Sequence, residues 1–264
     1  MSQEAVIDAL FCLPKKNRVA QPSDCVPYNE DLAPALQANG LQGVVIGPGQ
    51  CLHCQHQWSC TDRRNQDVVQ TVGRNRRQLC GLASYDSFRI GESLRWIDEA
   101  VGSGQLAGAY VLAESCVAGL DAARMYPLYG ICAKLNAPVV LDFSSRERWL
   151  HHRTQVEVIA ADFPQQPLLL STPLGTDSGD LLRLMQRYPC VGVLLTPSEL
   201  QNSAALCEYL DGVGRERVLF RAAPGAWGAS VAMAHKIPLA EGARRGYLYE
   251  NAARLFQFPA PRTA

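Results

Sequence analysis

The chain has 264 residues, 47% of them hydrophobic, and its 25 basic side chains balance 25 acidic ones. A net charge of zero gives no global field for nucleic acid or an anionic membrane, and neither is expected as a partner. No apolar run approaches the roughly 18 residues of a membrane span.

The opening Met-Ser-Gln-Glu-Ala-Val-Ile-Asp carries acids where a signal peptide needs a basic start and an apolar middle, so a cytoplasmic protein is expected. In that setting the ten cysteines read as reduced thiols, and those inside patterned segments (Cys80, Cys132, Cys190, Cys207) as small core hydrophobes.

In chain order, strand-like runs fall at 5–13, 43–47, 79–85, 108–113, 138–143, 167–171, 191–196 and 217–221. Several, such as Pro-Val-Val-Leu and Val-Gly-Val-Leu-Leu, are continuously apolar, as parallel strands buried on both faces must be. Helix-patterned stretches follow them at 30–38, 66–77, 90–101, 119–135, 146–161, 177–188, 198–210 and 238–256. In 177–188, Leu181, Leu182, Leu184 and Met185 recur at helical spacing, and the stretch near 198 opens Thr-Pro-Ser-Glu, a cap followed by an acid. Eight such units predict a single (β/α)8 barrel, a TIM barrel, over 1–258 with a frayed tail at 259–264. Three strand-to-helix connections, at 14–25, 47–63 and 221–237, are long, and all leave the end of the barrel where this fold carries its chemistry.

The strand ends supply the candidate residues. Asp142 closes the fifth run and could act as a general base, or as a structural acceptor for Ser144, Ser145 or the next helix's N–H groups. Glu114 and Asp86 close the fourth and third runs. Arg221 closes the eighth, where its planar fork suits a carboxylate. Lys15, Lys16 and Arg18 after the first run, and Arg63 and Arg64 after the second, would make the mouth basic and favour a small anionic ligand. Ser144, Thr172, Lys15 and Glu114 are the expected ligand-binding set, with Asp142, Arg221 and Cys12 as catalytic candidates.

The second long loop holds Cys51, Cys54, His56 and Cys60, soft ligands at short spacing that could hold zinc or a related metal, or form a redox pair. Their spacing matches no zinc finger or ribbon. The pair His151-His152 reads as surface decoration.

Four segments resemble the amidohydrolase-related (amidohydrolase 2) family of metal-dependent barrels, which includes carboxymuconate-semialdehyde-type decarboxylases and pyrone-dicarboxylate lactonases. They are Val6-Ile7-Asp8-Ala9; Tyr126-Pro127-Leu128-Tyr129 leading to Leu135 through Leu141; Asp162-Phe163-Pro164; and Arg217-Val218-Leu219-Phe220 with Asn251 through Phe256. The resemblance implies an amidohydrolase-like barrel, a hydrolase or carboxy-lyase if active. It also implies a divalent metal held by two histidines of strand 1, one of strand 5, often one of strand 6, and an aspartate of strand 8.

Here the corresponding positions hold Leu10, Cys12, Asp142, the Ser171-Thr172 step and Ala223. Leucine and alanine cannot donate to a metal, so the ordinary mononuclear site and its cofactor are not expected. The first expectation is an atypical or catalytically silent member binding a small anion. The alternatives are a metal-independent hydrolase, lactonase or decarboxylase-type lyase, with Asp142 as base and Arg221 as carboxylate clamp, or a metal or redox centre moved to the 51–60 loop. A homo-oligomer or protein partner stays open.

Overall fold

Strands buried on both faces are largely apolar, and the eight strand-like runs become eight strands of one sheet in sequence order. The computed structural model describes residues 5–12, 32–48, 58–116, 118–172 and 178–258, without the side chains of 58–60 and 63. The strands are β1 (Ile7–Cys12), β2 (Gly43–Gly47), β3 (Leu79–Ser84), β4 (Gly108–Leu112), β5 (Val139–Asp142), β6 (Leu168–Ser171), β7 (Val191–Leu195) and β8 (Val218–Phe220). All seven pairings from β1–β2 to β7–β8 are parallel. The molecule is a nearly closed (β/α)8 barrel.

The helices are α1 (Leu32–Ala38), α2 (Trp58–Arg74), α3 (Ile90–Gly102), α4 (Tyr126–Lys134), α5 (Arg146–Asp162), α6 (Gly179–Arg187), α7 (Pro197–Gln201), α8 (Ala204–Asp211), α9 (Trp227–Ala234), α10 (Glu241–Arg245) and α11 (Asn251–Leu255). A π turn, Gly246–Glu250, joins α10 to α11.

Several boundaries differ from the sequence expectation, each for a local reason. The stretch 198–210 is two helices, because the Ser203 hydroxyl accepts from Leu206 N at 3.3 Å and starts α8 afresh. The stretch 119–135 becomes helical only at Tyr126, with Pro127 in its first turn, where a missing N–H costs nothing. The expected loop 221–237 contains α9, and α2 begins at Trp58, inside the expected loop 47–63. The tail 259–264 lies outside the described residues.

Two apolar layers hold the barrel. Val44, Ile46, Val111, Val139, Leu141, Leu168, Leu170 and Val193 point outward into the helices. The alternate positions Val45, Leu82, Val140, Leu169, Leu194 and Leu219 fill the interior, and Ala252 and Phe256 from the C-terminal segment pack beneath them. His152, expected at the surface, is buried: its Nδ1 lies 2.9 Å from Gln155 Oε1, and its ring packs on Phe143. Six cysteines among the described residues are free thiols. Four of them bond to backbone carbonyls, Cys80 to Phe256, Cys116 to Leu112, Cys190 to Ala160 and Cys207 to Leu200.

Candidate active site at the barrel mouth

Residues two apart on a strand share a face. Val140, Leu169 and Leu219 fill the interior, so Asp142, Ser171 and Arg221, two positions further on, face the same space at its rim. Register puts Asp142 directly across from Ser171. The Ser171 hydroxyl donates to Asp142 Oδ1 at 2.6 Å, and the Tyr110 hydroxyl donates to Oδ2 at 2.7 Å. Arg221 Nη1 donates to Ser171 Oγ at 2.5 Å.

The chain of contacts continues on both sides. Arg221 Nη2 stands 3.7 Å from Glu199 Oε2. That same carboxylate closes a capping box at the start of α7, accepting from Thr196 N at 2.8 Å and from its hydroxyl at 2.7 Å. On the far side, the half-buried Cys12 thiol donates to Tyr110 Oη at 3.9 Å. Gly47 makes room for it, since a Cβ there would meet Cys12 Sγ at 3.3 Å and Leu10 Cδ1 at 2.9 Å. Burial, with the nearby Asp142 charge adding to it, pushes the Cys12 thiol up to about 12. It stands here as a protonated donor, not as a thiolate.

Asp8 is the second buried carboxylate. A register shift in β1 between Asp8 and Phe11 marks the strand's irregular middle. Its Oδ1 accepts from Ala222 N at 3.1 Å and Leu10 N at 3.3 Å, and its Oδ2 from Trp227 Nε1 at 2.9 Å. Desolvation outweighs these donors and raises its pKa to about 6. Asp8 thus ties β1 to the end of β8 and to α9, across the gap where no β8–β1 ladder forms among the described residues.

The structure brings together only part of the expected set. Asp142, Arg221 and Cys12 belong to one network. Glu114 and Ser144 bond instead to each other: Glu114 Oε1 accepts from Ser144 N at 2.8 Å and from its hydroxyl at 2.5 Å. Asp142 accepts from Tyr110 and Ser171, and the Ser145 hydroxyl caps α5. Asp86 caps its own turn, accepting from Phe88 N at 2.9 Å.

Lys15, Cys51, Cys54 and His56 lie outside the described residues, as does the side chain of Cys60. Sequence reasoning missed Asp8, Tyr110, Ser171 and Glu199 as members of the site. The two-residue alternation beyond Val140, Leu169 and Leu219 was the signal that could have found Ser171.

Thr172 Oγ1, Arg221 Nε and Glu114 Oε2 are buried without a hydrogen-bond partner among the described residues. Each follows or ends a different strand at the mouth. Buried polar atoms are normally paired. Two lone donors and a lone acceptor at the strand ends suit a small molecule with an anionic oxygen and a hydrogen-bond donor.

Known structures match the barrel over its length. A 2,6-dihydroxybenzoate decarboxylase from Rhizobium is similar with a TM-score of 0.72 at 15% identity, covering 97% of this chain and 99% of that one. A 5-carboxyvanillate decarboxylase from Novosphingobium aromaticivorans, complexed with manganese and 4-hydroxy-3-methoxy-5-nitrobenzoic acid, has a TM-score of 0.72 at 11% identity, covering 96% of each chain. An uncharacterized TIM-barrel protein from Bordetella bronchiseptica has a TM-score of 0.67 at 16% identity, covering 86% and 81%. No family model matches the sequence, and no curated protein matches it.

The manganese in the decarboxylase complex corrects the expectation of a cofactor-free barrel, because this fold holds a divalent metal in a solved neighbour. The described residues do not by themselves fit such an ion. Both oxygens of Asp8 and of Asp142 already accept N–H or O–H donors, and the Arg221 cation stands beside Ser171. Among the described residues no three His, Cys, Asp or Glu side chains are grouped as ligands. In fold, the chain is a (β/α)8 barrel similar to those of these decarboxylases.

Proposed function

We propose that the chain is a decarboxylase-type carboxy-lyase acting on a small carboxylated molecule bound in the mouth. The observation that carries this reading is the pair of unpartnered buried donors, Arg221 Nε and Thr172 Oγ1, at the ends of β8 and β6, where Arg221 reaches the buried Asp142 carboxylate through Ser171. The decarboxylases among the structural neighbours support it by analogy of fold.

In such a reaction the bond from carbon to carboxylate breaks, carbon dioxide leaves, and the carbon takes up a proton. Asp142 is the proton carrier. It takes up a proton from solvent and gives it to that carbon in the forward direction, and takes one as base in the reverse, with the Tyr110 and Ser171 hydroxyls orienting its two oxygens. Arg221 and Thr172 bind the substrate's anionic oxygen. Binding there raises the rate only if the negative charge grows as carbon dioxide departs, so the contacted oxygen is one conjugated to the reacting carbon. Clamping the departing carboxylate alone would favour the ground state.

The test is carbon dioxide release from 2,6-dihydroxybenzoate and 5-carboxyvanillate, with and without added manganese. Arg221→Lys and Asp142→Asn are each expected to lower kcat/KM by about a hundredfold or more. Binding of these acids without carbon dioxide release under either condition would replace the lyase with a binding barrel. Unchanged rates in Asp142→Asn would remove that residue from the chemistry.

A further inference from the structure

At the end of the barrel opposite the mouth, the segments entering β6, β7 and β8 enclose a second cleft of about 650 Å3. Its apolar wall is formed by Pro167, Leu169, Pro189 and the largely exposed Val213, and its polar groups include Arg215, Arg217 and Arg254 against a single carboxylate, Glu216. β7 and β8 approach closely beneath it, since a Cβ at Gly192 would meet Arg217 O at 2.8 Å.

Several arginines elsewhere on the protein surface face carboxylates, although others, such as Arg76, Arg77 and Arg95, do not among the described residues. Arg153 reaches Asp180 at 2.8 Å, Arg245 reaches Glu250 at 3.3 Å, and Arg89 reaches Glu92 at 3.6 Å. The three arginines of the cleft make no ion pair among the described residues. They are nevertheless held in place. Arg217 donates to the Met185 carbonyl, and its guanidinium lies 5.3 Å from the centre of the Tyr209 ring. Arg254 Nη2 donates to Glu216 O at 2.9 Å. The backbone carrying Arg215 is fixed by Asn251, whose side-chain nitrogen donates to Arg215 O and Val218 O, each at 2.8 Å.

Three like charges around one concavity repel, and the chain as a whole is neutral, so the surplus is local. Guanidiniums held by one edge keep their remaining N–H groups for a multivalent oxyanion. We propose that this cleft is a second binding site, for a phosphorylated small molecule. Its phosphate meets Arg217, Arg254 and Arg215, and its apolar part lies on Pro167, Leu169 and Pro189. The site stands apart from the mouth and does not depend on the reading of the mouth as a lyase.

The test uses the full chain with inorganic phosphate and pyrophosphate as probes, by isothermal titration and thermal unfolding, against sodium chloride at matched ionic strength. The expected result is saturable binding of one anion per chain, tighter for pyrophosphate. Arg217→Gln should weaken it by about tenfold or more, and Arg254→Gln by about fivefold. Arg183→Gln, which alters an arginine paired with Asp180, should leave it unchanged.

Arg217 also packs on Tyr209, so the exposed Arg254 keeps the test independent of folding. No heat and no stabilisation beyond matched sodium chloride would overturn the proposal. So would phosphate binding that survives both cleft substitutions.

Discussion

The two ends of this barrel are finished in different ways. The floor is closed by side chains from the C-terminal segment: Phe256 is 1% exposed, Ala252 is fully buried, and Asn251 satisfies two carbonyls at the entry to β8. The mouth is lined instead by a run of hydrogen bonds from Cys12 through Tyr110, Asp142, Ser171 and Arg221 to Glu199. Five buried side-chain polar atoms lack a partner among the described residues, and three of them, on Glu114, Thr172 and Arg221, are at the mouth. Each unmet group costs about 1–3 kcal/mol. The floor is built for stability, and the mouth gives up stability to keep donors available.

That contrast can be broken from either end. The largest effect belongs to the floor. Phe256→Ala should lower stability by about 3–5 kcal/mol in urea titration, while activity per folded molecule stays near wild type. A loss of activity larger than the loss of folded protein would show that the two ends are coupled.

Next comes Asp8, with its pKa raised by burial to about 6 from an unperturbed 3.8. The folded state holds this proton more tightly than the unfolded one. Asp8 therefore contributes stability that is fully present below about pH 4 and is lost as pH rises through 6. The amount is on the order of 3 kcal/mol. Asp8→Asn should remove this component, so the difference in unfolding free energy between variant and wild type should change across pH 4–7. A pH-independent difference would contradict the assignment.

Glu199→Gln is the third and tests how the mouth holds its arginine. The amide keeps much of the capping role but loses the charge facing Arg221, and kcat/KM should fall by about tenfold with little change in stability. The smallest effect sharpens the comparison most. Thr172→Val removes a buried hydroxyl with no partner among the described residues, so thermal stability should hold or rise by about 1 kcal/mol while binding of small carboxylates weakens severalfold. A clear drop in stability would mean that the hydroxyl has a protein partner.

All eight strands were legible from the sequence because strands buried on both faces are short, largely apolar runs, each followed by a helix-patterned stretch. α9 was not. Its Trp-Gly-Ala-Ser-Val-Ala-Met-Ala is short and rich in small residues, with no apolar stripe to set it apart from a loop. The opening of α2 was missed because Trp58 through Asn65 is mostly polar.

Strand-end logic picked Asp142, Arg221 and Cys12, which the structure joins in one network, and Glu114 and Ser144, which pair with each other across neighbouring strand ends. Glu199 was legible as the acid of a helix cap, and it is one. Its second contact, with Arg221, depends on how α7 sits over β8, and no local pattern encodes that. Asp8 was read only as part of a family motif, because its partners Ala222 and Trp227 are more than two hundred residues away.

That separation bears on the order in which the barrel forms. Asp8 joins the first strand to the last across sequence distances of 214 and 219 residues. Contacts of such range carry the greatest loop-closure cost and are made late. The carboxylate is thus a latch that engages after the rest of the sheet has zipped up neighbour by neighbour. Substitutions at Asp8 should leave the rate of folding nearly unchanged and act almost wholly on the rate at which the closed barrel comes undone.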